Sequence, residues 1–230
     1  MNVSTIKDSR SLRTRETLVR TAELLFADQG FEAVSVNTIT RQANQNNRNA
    51  VQYHFGNKTG LLQAIFDKHS PGVAAKRAEL IDELQNTAQP IARSLATAIV
   101  APLLDKLEDP DGGEAYIHIS AELIASNTLG YSRQDAHPLQ IPRETKLAKL
   151  AANQLTHLPP EIGQQRILMM NVLAFHGISD HARVRKNRQL DPMMRDTDFM
   201  ASNLIDSITA MLEAQPSPDT LQILKQRQAI

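Results

Sequence analysis

Apolar residues in this chain recur at spacings of three and four, and almost nowhere at two. Ile91, Leu95, Ile99, Leu103 and Leu107 form one such series. That spacing lines up side chains on one face of a 3.6-residue helix, whereas a half-buried strand needs strict alternation. Period-two runs of Val, Ile, Thr and aromatic residues, which a sheet would need, do not recur. The chain therefore reads as all-α, and any site must be assembled from helix faces and the turns between them.

The apolar stripe Leu18, Ala22, Leu25 and Phe26 predicts a first helix over 13–29, closed by Gly30 as a left-handed cap. Phe31 is expected to fold back onto that stripe. Ser35 can N-cap a short second helix, 36–43, and Asn57 a fourth running through Leu61, Leu62, Ile65 and Phe66. Between them lie a turn, "NQNN" (44–47), and a short third helix over 47–54. Pro71-Gly72 should kink or break the fourth helix, and Pro102 should kink the fifth in its middle and, as a further pocket candidate, free a carbonyl there for another partner. Longer helices are expected at 114–126, 143–155, 161–183 and 196–213, with a short docked helix around Leu221 and Leu224. "DPDGG" (109–113) and residues 128–142 read as linkers.

Several function classes are disfavoured by composition. The 230 residues contain no cysteine, so disulfides and thiolate metal sites are absent. No apolar run approaches the ~18 residues of a membrane span, and the first residues lack the apolar run of a signal peptide. A cytoplasmic protein is the expectation. No G-x-S-x-G elbow, phosphate-binding glycine loop or H-E-x-x-H pair occurs, so no enzyme, cofactor or metal is expected. Net charge is zero overall, yet residues 1–60 carry eight Lys and Arg against five Asp and Glu. A basic head on a mildly acidic body points to an anionic partner for the head.

Helices two and three, supported by helix one, have the order of a helix-turn-helix. On a helical wheel Arg48, Asn49, Gln52 and Tyr53 share one arc, with Val51 and Phe55 beside it. Arg suits guanine edges in the major groove, and Asn or Gln suits adenine. Tyr53, His54 and Lys58 can hold phosphates, and Thr38, Thr40 and Arg41 lie on the helix that would cross the DNA backbone.

Residues 14–66 resemble the N-terminal domain of the TetR family of bacterial transcriptional regulators, through "AELLFADQGF", "SVNTITRQA", "YHF" and "NKTGLL". The resemblance implies phosphate contacts at Tyr53, His54 and Lys58 and a recognition helix on about Asn47 to Gln52. It departs at the turn, where Asn44 replaces the usual glycine and one residue is inserted before "AVQYHF". The implied architecture is a basic flexible arm (1–12), a helix-turn-helix head (13–68), a larger ligand-binding and dimerisation body (69–215) and a tail (216–230). The implied function is a homodimeric repressor on a roughly palindromic operator, released by a small-molecule effector. A helical ligand carrier or enzyme whose head does not bind DNA is the alternative.

In the body, Tyr116, His118, Glu122 and His176 are candidate ligand contacts, with Glu114, His118 and Glu122 spaced along one helix face. Helices 161–183 and 196–213 are apolar over a wide arc. Leu168, Val172, Phe175, Leu204, Ile208 and Met211 are candidates for a four-helix dimer interface.

Overall fold

No glycine or proline interrupts residues 3–29, and the first helix, α1 (Val3–Gln29), uses the whole stretch. It starts well before residue 13 because its polar first half needs only helix-compatible residues, whereas an apolar stripe registers only the buried half. The arm expected to be flexible is thus helical from Val3 onward. The computed structural model describes residues 3–88, 90–125, 139–141 and 144–228, with side chains from Ser9 onward. Apart from residues 139–141, the linker expected at 128–142 lies outside the described residues.

Local signals set the next three elements. Gly30 takes φ +86° and closes α1, and Phe31 returns edge-on to Phe26 at 5.2 Å. Ser35 caps α2 (Val36–Gln42) by accepting from Thr38 N at 3.1 Å, and Asn57 caps α4 (Lys58–Leu84) by accepting from Gly60 N at 2.8 Å. Between them sits α3 (Ala50–Phe55). Leu18, Phe26, Ile39, Val51, Leu61 and Ile65 are fully buried where these four helices meet. Pro71 and Gly72 do not break α4. Both are exposed, so the carbonyl that Pro71 leaves unpaired lies on the face of the helix that solvent reaches.

The remaining helices are α5 (Ile91–Leu107), α6 (Gly113–Ala125), α7 (Thr145–Gln154), α8 (Pro160–Val184), α9 (Thr197–Glu213) and α10 (Pro218–Gln228). Together they leave no strand among the described residues. α5 is the hub and packs on α4, α6, α7, α8 and α9. Leu95, Ile99, Leu103 and Leu107 are buried in that hub, while Ile91 at its start is exposed. α10 docks through half-buried Leu221 and Leu224. No helix is long and apolar enough to cross a membrane among the described residues.

Two polar ties fasten α1 and its following loop to the rest. Glu23, on α1, is 1% exposed and takes both carboxylate oxygens to Lys68 Nζ at 3.1 Å, with Oε1 also 3.0 Å from His69 Nε2. Lys68 reaches on to Asp111 at 3.0 Å, and Lys106 bonds Asp109 at 2.7 Å. The Lys106 bond, followed by the Asp111 N–H, holds the Asp109 carboxyl below its ordinary range. Gly112 closes over this cluster at φ +88°, where a Cβ would lie 2.6 Å from Glu23 Oε2. The second tie is Glu122 of α6, which accepts the Phe31 N–H at 3.0 and 3.2 Å.

Removing Glu23 leaves Lys68 and His69 facing a buried site without its anion. Such losses cost about 3 kcal/mol or more. Glu23→Ala should lower the urea unfolding midpoint accordingly, and a midpoint like that of the wild type would show that the cluster contributes little.

Candidate nucleic-acid interface and inner cavity

The turn after α2 is made by asparagines. Asn44 adopts φ +51°, the left-handed conformation that the family's usual glycine would take. Asn47 then accepts the Asn49 N–H at 3.0 Å through its side chain, a local bond that competes with helix formation. This is why α3 begins at Ala50 and not at residue 47. Asn47, Arg48 and Asn49 lie on the shoulder leading into the helix and are exposed, as are Gln52 and Tyr53 on the helix itself. Arg41, exposed in the last turn of α2, lines one shallow polar depression with Asn44 and Arg48. Thr38 and Thr40 are less available: Thr38 Oγ1 bonds Ser35 Oγ at 2.9 Å, and Thr40 Oγ1 bonds the Val36 carbonyl at 2.9 Å.

Tyr53 is 78% exposed and stands edge-on to His54 at 4.9 Å. Burial, and then the Arg15 charge, pushes the His54 imidazole below its ordinary range. Arg15, which the motif does not mark, stacks over Phe55 at 5.2 Å and brings an exposed positive charge beside α3.

Lys58 has a different occupation from the expected one. Its ammonium bonds the carbonyls of Phe31, Val34 and Glu32 at 2.8, 3.2 and 3.3 Å and lies 4.3 Å from the Phe31 ring centre. All three of its donors are spent on the loop that leads into α2, so a phosphate would have to compete for them.

Four helices with a sharp turn between the second and third define a helix-turn-helix head of the DNA-binding class. Residues 18–65 match the family described as bacterial regulatory proteins, tetR family, and the head belongs to that family. Among solved structures the chain is similar to a TetR-family regulator from Streptomyces coelicolor A3, with 19% identity over 88% of this chain and 96% of that one and a TM-score of 0.43. A gamma-butyrolactone receptor, an ArpA-like protein, shares 18% identity over 86% and 99%, with a TM-score of 0.43. A TetR-family transcriptional regulator from Pectobacterium atrosepticum shares 20% over 89% and 93%, with a TM-score of 0.38. No curated protein matches the chain.

The body contains a cavity of about 190 Å³ whose lining includes Arg77, Tyr116, Ser120, Glu144, Asn171 and Phe175. Of the ligand candidates read from the sequence, Tyr116 alone lines it. His118 is held by Ser179 at 2.7 Å and Glu114 at 3.4 Å and faces a cleft toward α1. Glu122 is engaged by Phe31, and half-buried His176 lines neither space. The polar centre of the cavity is Arg77, 5% exposed. Its Nε donates to the Ala98 carbonyl at 2.9 Å, and its Nη1 pairs with Glu144. Ala98 stands four residues before Pro102, so its carbonyl is the one that the proline's missing N–H leaves open. Tyr116 OH is 3.3 Å from Ser70 Oγ, and Ser120 is buried.

Lys58 and Tyr53 separate by their roles. Lys58→Met removes three bonds and should cost about 1–2 kcal/mol of stability. Tyr53→Phe removes an exposed hydroxyl and should leave stability within ~0.5 kcal/mol of the wild type. Thermal unfolding of both variants checks this before any DNA is added.

Burial is the leading cause of weakened proton binding at His54, His118 and His181. In the unfolded chain each histidine binds protons with its ordinary pKa of about 6.5, so below that pH the unfolded state holds more protons and gains relative to the fold. Stability should be full above about pH 7 and fall as pH drops through about 6.5. Urea midpoints that stay level between pH ~7.5 and ~5.5 would contradict this.

Proposed function

We propose that the protein is a ligand-responsive transcriptional regulator that binds operator DNA as a homodimer and acts as a repressor. The observation that carries this reading is the set of exposed side chains on the head. Arg41, Arg48, Asn49, Gln52 and Tyr53 leave the surface around α3 polar and uncommitted, in a domain whose family is that of bacterial regulatory proteins. Arg48, Asn49 and Gln52 are the candidates for base edges. Tyr53, His54 and Arg41 are the candidates for phosphates, with Asn47 and Thr38 at the margin and Lys58 the residue that shapes the loop beneath them.

The proposed division is a head over 13–68, a body over 69–215 and a tail beyond, with α4 shared between head and body. For the dimer, α8 offers exposed Met169, Val172 and Leu173 at helical spacing, flanked by half-buried Leu168. Phe175, Leu204 and Met211 are half-buried beside this region. Ile208, expected at the interface, is fully buried within one chain and belongs to its core.

An effector in the inner cavity would touch α4 at Arg77 and α6 at Tyr116. Those same two helices hold the head, α4 through Lys68 and His69 on Glu23 and α6 through Glu122 on Phe31. A shift of either helix would change the distance between the two heads of a dimer, while DNA keeps half-sites about 34–36 Å apart or a multiple of that. Ligand would then weaken DNA binding, and DNA would weaken ligand binding by the same factor.

The test is fluorescence anisotropy on the DNA upstream of the protein's own gene against a shuffled duplex at several salt concentrations. Binding confined to the native duplex, with a log–log salt slope near −0.9 per phosphate contacted, is expected. Arg48→Ala and Gln52→Ala should each lose about 1–3 kcal/mol of discrimination without unfolding the head. Equal weak binding to both duplexes, with all variants alike, would refute the reading.

A further inference from the structure

Glu144 lines a second space besides the inner cavity. It is an apolar groove of about 410 Å³ between α4 and α7, lined by Pro71, Ala74, Ala78, Ile81 and Thr145 among others. The two spaces share Ser70, Ile141, Glu144 and Leu147. Glu144 of the Arg77–Glu144 ion pair therefore borders both the larger apolar groove and a smaller chamber in which Arg77 is the charged group among mainly apolar side chains.

The two partners of that pair are held unequally. Arg77 is buried, carries its charge at any ordinary pH, and is fixed by the Ala98 carbonyl. Glu144 has 29% of its side chain exposed and sits at the N-cap of α7 without making a side-chain capping bond. One Arg77 nitrogen meets one Glu144 oxygen, although a guanidinium can present a fork to both oxygens of a carboxylate. A buried cation cannot be left without an anion, but this particular anion can turn to solvent if another takes its place. Released, it would lie beside the unpaired N–H groups of the first turn of α7, where negative charge is favoured. The chamber also holds the Ser120 and Tyr116 hydroxyls, both able to donate to an anionic oxygen.

We propose that Glu144 is a placeholder, and that the ligand of this cavity is an amphipathic monocarboxylic acid whose head group displaces Glu144 from Arg77 while its hydrocarbon tail lies along the α4–α7 groove. Bound this way, the ligand keeps Arg77 neutralised, engages Ser120 and covers the groove. A neutral ligand would have to leave Glu144 on Arg77, and a cationic one would meet Arg77. The inference deepens the regulator reading by naming the chemistry of its effector, and rests on the cavity assigned there.

Binding is measured by titration calorimetry on the full chain without DNA, using the straight-chain carboxylates from butanoate to dodecanoate. Primary alcohols and amines of the same lengths are the controls. At least one carboxylate should bind ten times or more tighter than the matching alcohol and amine. Glu144→Gln, which removes the competing anion and keeps the shape, should tighten the carboxylate several-fold and leave the alcohol unchanged. Ser120→Ala should weaken it. Arg77→Met should abolish the preference, and if that variant fails to fold, Glu144→Gln decides alone. Equal affinity for acid and alcohol, weaker acid binding by Glu144→Gln, or no binding by any acid overturns the proposal. Operator binding is measured separately. Intact DNA binding with no acid binding refutes only the ligand class, whereas acid binding that leaves DNA affinity unchanged refutes the regulator mechanism.

Discussion

The fold turns on a carboxylate withdrawn from water. Glu23 lies inside α1 with an exposure of 1%, and its charge is tolerable only because Lys68 and His69 of α4 close on it. This fixes the register of α1 against α4 more sharply than apolar contact could, because a leucine stripe can slide by part of a turn while an ion pair cannot. The loop before α6 is then drawn over the pair, since Gly112 is the residue without a side chain that lets the backbone approach Glu23. Head, α4 and the start of α6 become one unit around a single buried charge.

In the proposed mechanism the same frame links the cavity to the head. Tyr116 lies one turn into α6 from Gly112, and Arg77 lies two turns along α4 from His69. Glu122 completes the frame at the other end of α6. A ligand that separates α4 from α6 pulls on both ends of the head's attachment. Small displacements in packed helices pass on as discrete shifts because the interior has no slack to absorb them.

How much of this the sequence exposed depends on range. Gly30, Ser35, Asn57 and the left-handed Asn44 were legible because each acts on residues within a few positions. The helix count followed from periodicity, and the buried stripes followed with it. The onset of α3 was not legible, since the Asn47 side chain competes with helix formation there and periodicity is blind to that competition. Arg77 and Glu144 are 67 positions apart, and nothing local to either marks a partner. Glu122 looked like a ligand contact because its i, i+4 neighbours are polar, yet its partner is a backbone N–H 91 residues away. Lys58 matched a motif, and the motif does not say whether the ammonium faces DNA or the loop behind it. Ile208 belongs to a stripe wide enough for both core and interface, and only packing separates the two.

Pro102 shows what that range effect means for variation. It touches no ligand in the proposed arrangement, and its ring is buried in α5. Its contribution is an absence: by withholding an N–H it leaves the Ala98 oxygen free to grip Arg77. The chemistry proposed for the cavity is therefore set partly by the backbone of α5, which packs on both α4 and α7 yet contributes no side chain to the groove. A homologue that lost the proline could keep every lining side chain and still present its arginine differently. Ligand preference in such proteins can drift through positions that a map of the pocket would leave blank.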